Sequence, residues 1–280
     1  MRVKNEIPIE YYYYESVKET PYILENILKS EIQNKYREYM SNYRNISKKV
    51  LDEAYMFYIL DEAYLQDIIY SMNVREMLGI QVGYTVRQQE RFVFPILNFD
   101  NVILGFIGYD YEETDYKYLI SLAKFAEKGR LFFNYQNINE AYRKDVIILE
   151  EGVFDSLRLN EIGYKNNLAL MGTRMSDFHK TVLNRFKLVI IISDNDESGK
   201  RASNEWFNSL DTKVALVTIK KREINRTFKK GDDIEEREIV IKDIDDFLNY
   251  KSNWEVFKKL YNKILEDSHG VFFSKEKYFI

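Results

Sequence analysis

The sequence predicts an α/β protein, with a mostly parallel sheet flanked by helices over residues 145–250. A smaller α+β segment precedes that sheet and a short C-terminal helix follows it. Three observations predict this class. From Asp145 onward, continuous apolar runs alternate with amphipathic stretches, the pattern of strands buried on both faces and separated by covering helices. Over residues 91–110, two apolar runs flank a turn at 99–101, as in a pair of strands joined by a turn. Ahead of these, residues 22–70 lack the usual breakers and repeat apolar positions at helical spacing.

Taken in order, residues 1–20 are polar and tyrosine-rich, with Pro8 and Pro21 nearby, and read as an arm or irregular segment. ILENILKSEIQNKYREYM and VLDEAYMFYILDEAYLQDII place apolar residues at i, i+3, i+4 and i+7, which predicts two or three amphipathic helices. Residues 73–78 make a short helix closed by Gly79. After the paired strands of 91–110, residues 117–134 read as loop-like and then irregular or partly helical, and INEAYRK (138–144) as a short helix. VIILEEG, NNLALMG, KLVIIISDND and KVALVTI are the strands of the main sheet. FDSLRLNEIG, SDFHKTVLNRF with Ser176 as N-cap, SGKRASNEWFNSL and IDDFLNY are its helices. KKREINRTFKK (220–230) reads as a basic loop, balanced between a phosphate contact and a plain solvated segment. WEVFKKLYNKILED (254–267) is one amphipathic helix, and the tail GVFFSKEKYFI is apolar enough to pack on the body. The resulting divisions are a helical region at 1–78, an α+β segment at 79–144, the main sheet at 145–250 and the C-terminal helix and tail at 251–280.

Composition narrows the chemistry. The chain has no cysteine, which excludes disulfides, thiolate catalysis and cysteine-based zinc sites. His179 and His269 are its only histidines, so any metal must be a hard ion on oxygen ligands; His179 itself reads as a helix-surface residue. No apolar stretch approaches the roughly 18 residues of a membrane span. The start, MRVKNEIPIE, lacks an apolar signal core, so cytoplasmic residence is expected. A net charge of −4 does not announce a nucleic-acid binder, although acidic and basic faces coexist in many such proteins. The tyrosine run at 11–14 reads as compositional bias or core packing rather than as a platform for stacked bases.

Two acidic signatures carry the chemistry. EEGVFD (150–155) directly follows VIIL, and SDNDESGK (193–200) directly follows LVIII, so each sets carboxylates at the end of a buried strand. In parallel sheets ligands sit at that end. Strands side by side would gather like charges, which is costly unless a cation neutralises them. Mg²⁺ prefers carboxylates and water, and in turn engages phosphates, so the pair points to phosphodiester chemistry. Glu151 ends the first strand, Gly152 lets the backbone turn tightly there, and Asp155 lies one helical turn on. Asp194 and Asp196 flank Asn195 and, in an extended strand end, point to one side; Gly199 permits close backbone approach as a helix opens. Glu150 should point to the opposite face and is left out.

EGVFD, LMGT (170–173), SDNDESG and KDIDDFL (242–248) resemble the successive motifs of a TOPRIM domain, and more specifically those of DnaG-type bacterial and phage primases. RFVFPI (91–96), GFIG (105–108), KYL (117–119) and KGRLFF (128–133) resemble that family's basic subdomain in order. The likeness runs from about Gly79 to Asn249. It implies a TOPRIM-type sheet in which Glu151, Asp194 and Asp196 are catalytic and bind Mg²⁺, with Mn²⁺ as the alternative ion and no zinc. It further implies that Asp155, Asp243 and Asp245 form a second acidic set. Arg91, Lys117 and Lys128, with Arg130 and Lys200, would contact template or nucleotide. Three departures stand out: Tyr109 where the family commonly has an arginine, no zinc-binding module, and only a short segment after the TOPRIM unit. These suggest a minimal catalytic core more typical of phage than of a cell.

The function expected is that of a metal-dependent primase, making short RNA primers from ribonucleoside triphosphates on single-stranded DNA. A replicative helicase or a separate template-recognition module is the expected partner, and no membrane. The alternatives are a TOPRIM nuclease using the same acids for hydrolysis, and a catalytically silent relative that binds DNA or a replication partner. A topoisomerase is disfavoured by the short chain.

Overall fold

Pro8 stands directly before the first described helix. A computed structural model describes residues 8–112, 116–220, 222–230, 233–270 and 273–280, with the backbone alone over 222–230 and 233–240. Helix α1 (Ile9–Lys29) starts directly after Pro8, where a missing N–H leaves no intrahelical bond unmade. The irregular reading of residues 1–20 is therefore corrected from Ile9 onward, while 1–7 lie outside the described residues. Ser16, Thr20, Ile23, Leu24 and Ile27 form one buried stripe, and that burial outweighs the internal Pro21.

The chain divides into two compact units, Met1–Gln136 and Asn137–Ile280. In the first, α1 leads to α2 (Glu31–Arg44), capped by Ser30, and α3 (Lys48–Glu53), capped by Ser47. The helical reading of 50–69 fails in its middle, where β1 (Phe57–Ile59) pairs antiparallel with a later strand. Tyr55 adopts φ +53° and ends the helix, and the run Phe57–Ile59 is wholly buried, a strand's burial rather than a helix's single stripe. Then come α4 (Glu62–Ile68), α5 (Met72–Met77), the short hairpin β2 (Gln81–Val82) and β3 (Thr85–Val86), β4 (Arg91–Leu97), β5 (Ile103–Tyr109) and β6 (Tyr118–Leu122). Gly79 closes α5 as expected at φ +74°, and a side chain there would overlap the Leu122 carbonyl. The strand β6 corrects the loop reading of 117–122; its half-buried Leu119 and Ile120 give no alternation to read.

The sheet order is β1-β4-β5-β6, all antiparallel. Ile23 and Ile27 of α1, Leu65 and Ile68 of α4, and Phe57, Val93 and Phe106 of the sheet share one core. The Ser16 hydroxyl donates to the Ile103 carbonyl (2.8 Å), and the Ile103 N–H donates to the Thr20 hydroxyl (3.1 Å). Residues before and after Gly79 thus fold around the same interior.

The second unit runs α6 (Ile138–Lys144), β7 (Val146–Glu150), α7 (Val153–Glu161), β8 (Asn167–Ala169), α8 (Asp177–Leu183), β9 (Leu188–Ser193), α9 (Glu197–Ser209) and β10 (Lys213–Thr218). The strands β11 (Arg222–Lys230) and β12 (Asp233–Ile241), then α10 (Ile244–Leu248), α11 (Trp254–Ser268) and β13 (Lys275–Phe279), complete it. Five parallel strands lie in the order β13-β10-β9-β7-β8. One face of this sheet packs on α10 and α11 through Ile244, Phe247, Phe257 and Ile264, while α9 packs on β9 and β10. Burial on both faces explains the unbroken apolar runs.

The tail packs on the body as expected, by adding β13 alongside β10. In place of the loop expected for the basic segment, the backbone from Arg222 forms β11, paired with β12 from Arg222↔Ile241 to Lys230↔Asp233. The opposing strand contributes Asp233, Glu235, Glu236 and Glu238, so a basic run is laid against an acidic one. His179 is buried rather than on the surface: its Nδ1 accepts from the Ser176 N–H (3.1 Å) while Ser176 caps α8.

Candidate active site

The strand order reverses between β7 and β9. From β7 the chain moves to β8 on one side, then crosses to β9 on the other. Such a switch point leaves a crevice at the carboxyl ends of the two strands. Glu151 directly follows β7 and Asp194 directly follows β9, so the crevice receives both acidic signatures. The Asn195 N–H donates to the Lys242 carbonyl (2.7 Å), which draws the KDIDDFL segment to the same end.

Each acid meets a different environment. Burial raises Glu151 above its ordinary value, and the charge of Asp196 adds to the shift. Asp194 is pushed up to about 7, chiefly by burial and then by Asp243, Glu151 and Asp196, with Lys242 opposing. Asp196 is exposed and lowered, because its carboxylate caps α9 by accepting from the Gly199 N–H (2.7 Å) and the Ser198 hydroxyl (3.0 Å). It therefore turns into a helix cap and does not continue an extended strand end. Gly199 is needed for close approach: a Cβ there would stand 2.6 Å from the Asp194 Cβ. Gly152 has φ −102°, so its role is not a left-handed turn; a Cβ would meet the Asp155 carboxylate at 2.6 Å.

The second acidic set is built on hydrogen bonds. Asp155 is buried and accepts from the Gly152 N–H (3.1 Å) and the Asp245 N–H (3.1 Å). Burial and the charges of Asp243, Asp194 and Asp245 still hold it well above the ordinary range. Asp243 caps α10 through the Asp246 N–H (2.7 Å), and burial followed by the charge of Asp246 raises it to about 6. Asp245 accepts from Nε of the equally buried Arg158 (2.8 Å).

Sequence reasoning missed Arg158 and Lys242. Arg158 lies one turn after Asp155 on a helix whose neighbouring Leu157 and Leu159 are buried, and a charged residue between two core leucines is the signal that could have found it. Lys242 opens the acidic KDIDDFL run and opposes the upward shifts of Asp194 and Asp243. Glu150 is fully buried, and neither of its oxygens has a hydrogen-bond partner among the described residues. Burial drives it well above the ordinary range; the nearby Ser156 hydroxyl opposes this only in part, and donates to Asn167 Oδ1.

Among the described residues, no group of three or more His, Asp or Glu side chains converges into a ready metal cage. The acids nevertheless raise one another's pKa values, so they lie within each other's field. A shared acidic field of this kind suits Mg²⁺, which takes one or two carboxylates together with substrate phosphates. Glu151, Asp194, Asp196 and Asp243 are the groups that could hold it.

A Toprim-like family profile matches residues 148–237. The DNA primase of Staphylococcus aureus (strain MSSA476) is 33% identical over 124 residues, covering 43% of this chain and 20% of that protein. The chain thus spans about a fifth of the length of the curated relatives that it matches. The Aquifex aeolicus primase structure of zinc-binding and RNA polymerase domains aligns with a TM-score of 0.69 at 22% identity, covering 92% of this chain and 62% of that one. A DnaG primase catalytic domain bound to single-stranded DNA aligns with a TM-score of 0.66 at 18% identity, covering 89% and 80%. The chain has the fold of a DnaG-type primase catalytic core. Within its Toprim-like domain, the matched segment contains Glu151, Asp155, Asp194 and Asp196, while Asp243 and Asp245 lie beyond it and the Asp245 N–H bonds back to Asp155.

The basic residues of the primase-like first unit differ in reach. Arg91 is largely buried; its guanidinium donates to the Tyr116 carbonyl (2.8 Å) and approaches Asp110 (3.4 Å). Lys117, Lys128 and Arg130 are exposed, with Lys117 5.8 Å from the Tyr118 ring centroid. Lys200, in the Toprim-like domain, is exposed on the first turn of α9. Tyr109 stands where the resemblance leads one to expect arginine, and the Arg44 guanidinium lies 5.9 Å from its ring centroid. Among the described residues no helix is long and apolar enough to cross a membrane.

Proposed function

We propose that this protein is a metal-dependent primase that joins ribonucleotides on a single-stranded DNA template. The observation that carries the reading is the crevice between β7 and β9, where Glu151 and Asp194 meet at the switch point of a Toprim-like sheet. The primase names of the relatives and of the structural neighbours, one of them bound to single-stranded DNA, agree with it.

Glu151, Asp194 and Asp196 would hold a first Mg²⁺, or Mn²⁺, with Asp243 beside them. When bound, that ion would neutralise charge on the triphosphate oxygens and on the leaving pyrophosphate. Asp155 and Asp245 position rather than ligate, since their oxygens already hold backbone N–H groups and Arg158. Lys242 balances part of the acidic charge. Lys117, Lys128, Arg130 and Lys200 would meet phosphates of template or nucleotide, and Arg91 would steady the strand ends beneath them. A helicase or a separate template-recognition module would complete initiation.

Asp194→Ala combined with Asp196→Ala is expected to abolish Mg²⁺-dependent synthesis of short oligoribonucleotides on mixed single-stranded templates, measured by incorporation of labelled ribonucleotides. Undiminished synthesis would overturn the reading, and shortening of a labelled strand by the wild type without synthesis would replace it with hydrolysis by the same acids.

A further inference from the structure

Register places four aromatic residues in one row across the antiparallel sheet. Tyr58, Phe92, Tyr109 and Tyr118 are successive Cα partners across β1, β4, β5 and β6, so all four point to one face. That face is opposite to the one that carries Phe57 and Val93 into the main core. Helix α2 crosses part of the row with its own tyrosines, Tyr36, Tyr39 and Tyr43, spaced i, i+3 and i+7 on a single stripe. Tyr36 stacks on Tyr58 at 4.3 Å. Tyr39 lies parallel to Phe92, 6.0 Å away and tilted by 6°, and Tyr43 parallel to Tyr39, 6.1 Å away and tilted by 8°.

Exposure rises in one step from the buried ring of this column to its two tyrosines. Phe92 is 1% exposed, whereas Tyr39 and Tyr43 are 48% and 49% exposed. A plain core would bury the last ring, and a plain solvated tyrosine would not be aligned with a buried one. Cations stand over the same row: Arg44, next to Tyr43, over Tyr109, and Lys117 over Tyr118, itself 38% exposed. Glu112, next to Tyr111, borders the patch, so it is not a broad basic face and its rings must supply much of any affinity.

We propose that this column is a stacking platform for bases of single-stranded DNA, with Tyr43 as its outermost rung and Tyr39 beneath it. The inference rests on the primase reading and adds base contact to a template path otherwise assigned to phosphate-binding lysines. A base laid on Tyr43 continues a stack of parallel rings already held by Phe92, and Arg44 and Lys117 stand within the same surface for the adjoining phosphates. Stacking is indifferent to base identity because every base has a π-face, which suits a template that must be read at any sequence.

The test is fluorescence anisotropy of the full chain with a labelled deoxyribo-oligonucleotide and with an abasic strand of equal length. Tyr43→Ala is expected to weaken binding to the intact strand by about tenfold, within the range that one base–ring stack supplies. It should leave binding to the abasic strand unchanged, and Tyr43→Phe should bind both as the wild type does. Lys117→Ala should weaken both strands alike and lower the salt dependence. A Tyr43→Ala protein that binds the intact strand normally, or loses both strands equally, would overturn the platform. A wild type with no affinity for either strand would instead overturn the primase reading on which it rests.

Discussion

Arg158 and Asp245 are both buried and form an ion pair at 2.8 Å. Their pairing also fixes a third acid, since the Asp245 N–H holds Asp155 and Asp155 in turn binds the Gly152 N–H at the end of β7. Removing one member of such a pair costs about 3–5 kcal/mol, whereas replacing both by apolar residues of similar volume is often neutral. Arg158→Met is therefore expected to lower unfolding free energy by that amount in urea titrations, and Arg158→Met with Asp245→Leu to recover most of it. Equal stability of the single variant and the wild type would show that the pair is not an internal strut. The acids themselves were legible in the sequence because they punctuate apolar runs. Their division of labour was not: whether Asp155 faces an ion or a backbone N–H depends on Asp245, 90 residues later.

Among the elements, the contact between β9 and α9 sets how closely the acidic crevice can form. Gly199 lets the first turn of α9 lie against Asp194, and the helix cap of Asp196 fixes the turn between them. Gly199→Ala forces Asp194 or the helix to shift and should lower stability by about 1–3 kcal/mol, as overpacking usually does. Calorimetry with Mg²⁺ should show weaker binding in the same variant; unchanged affinity would mean that Asp194 is free to adjust. The Toprim-like alternation of strand and helix could be read because both faces of that sheet are covered, so each strand is an unbroken apolar run. In the first unit the signals conflict. Phe57–Ile59 sits between two helical stretches of similar composition, and only its pairing with β4 selects the strand. Likewise α1 outlasts its prolines because Ser16, Thr20 and Ile23 find partners in a core that local sequence does not contain.

For the whole molecule, the buried acids make stability depend on pH in an uncommon direction. Asp194 at about 7 and Asp243 at about 6 stand above their ordinary value of 3.8, and Asp155 and Glu150 are raised as well. The folded state thus holds more protons than the unfolded one, so these groups contribute less to stability as pH rises from about 4 through about 7. Asp196, lowered by its cap, has the opposite sign and matters only in more acidic solution. Melting of the metal-free protein should fall from pH 5 to pH 8, Mg²⁺ should restore it at pH 8, and Asp194→Asn should flatten the slope. A melting temperature that climbs across this range, with no response to Mg²⁺, would mean that the acids are not an electrostatic load. The hydroxyls of Ser16 and Thr20 carry a different consequence, one of time. Their partner at Ile103 lies 87 and 83 residues further along the chain. At a synthesis rate of roughly 5–20 residues per second, α1 waits about 4–17 s on the ribosome before the β5 side of its core can close over it. A nascent chain stalled before β5 should therefore recruit chaperones at α1, and one stalled well beyond it should not.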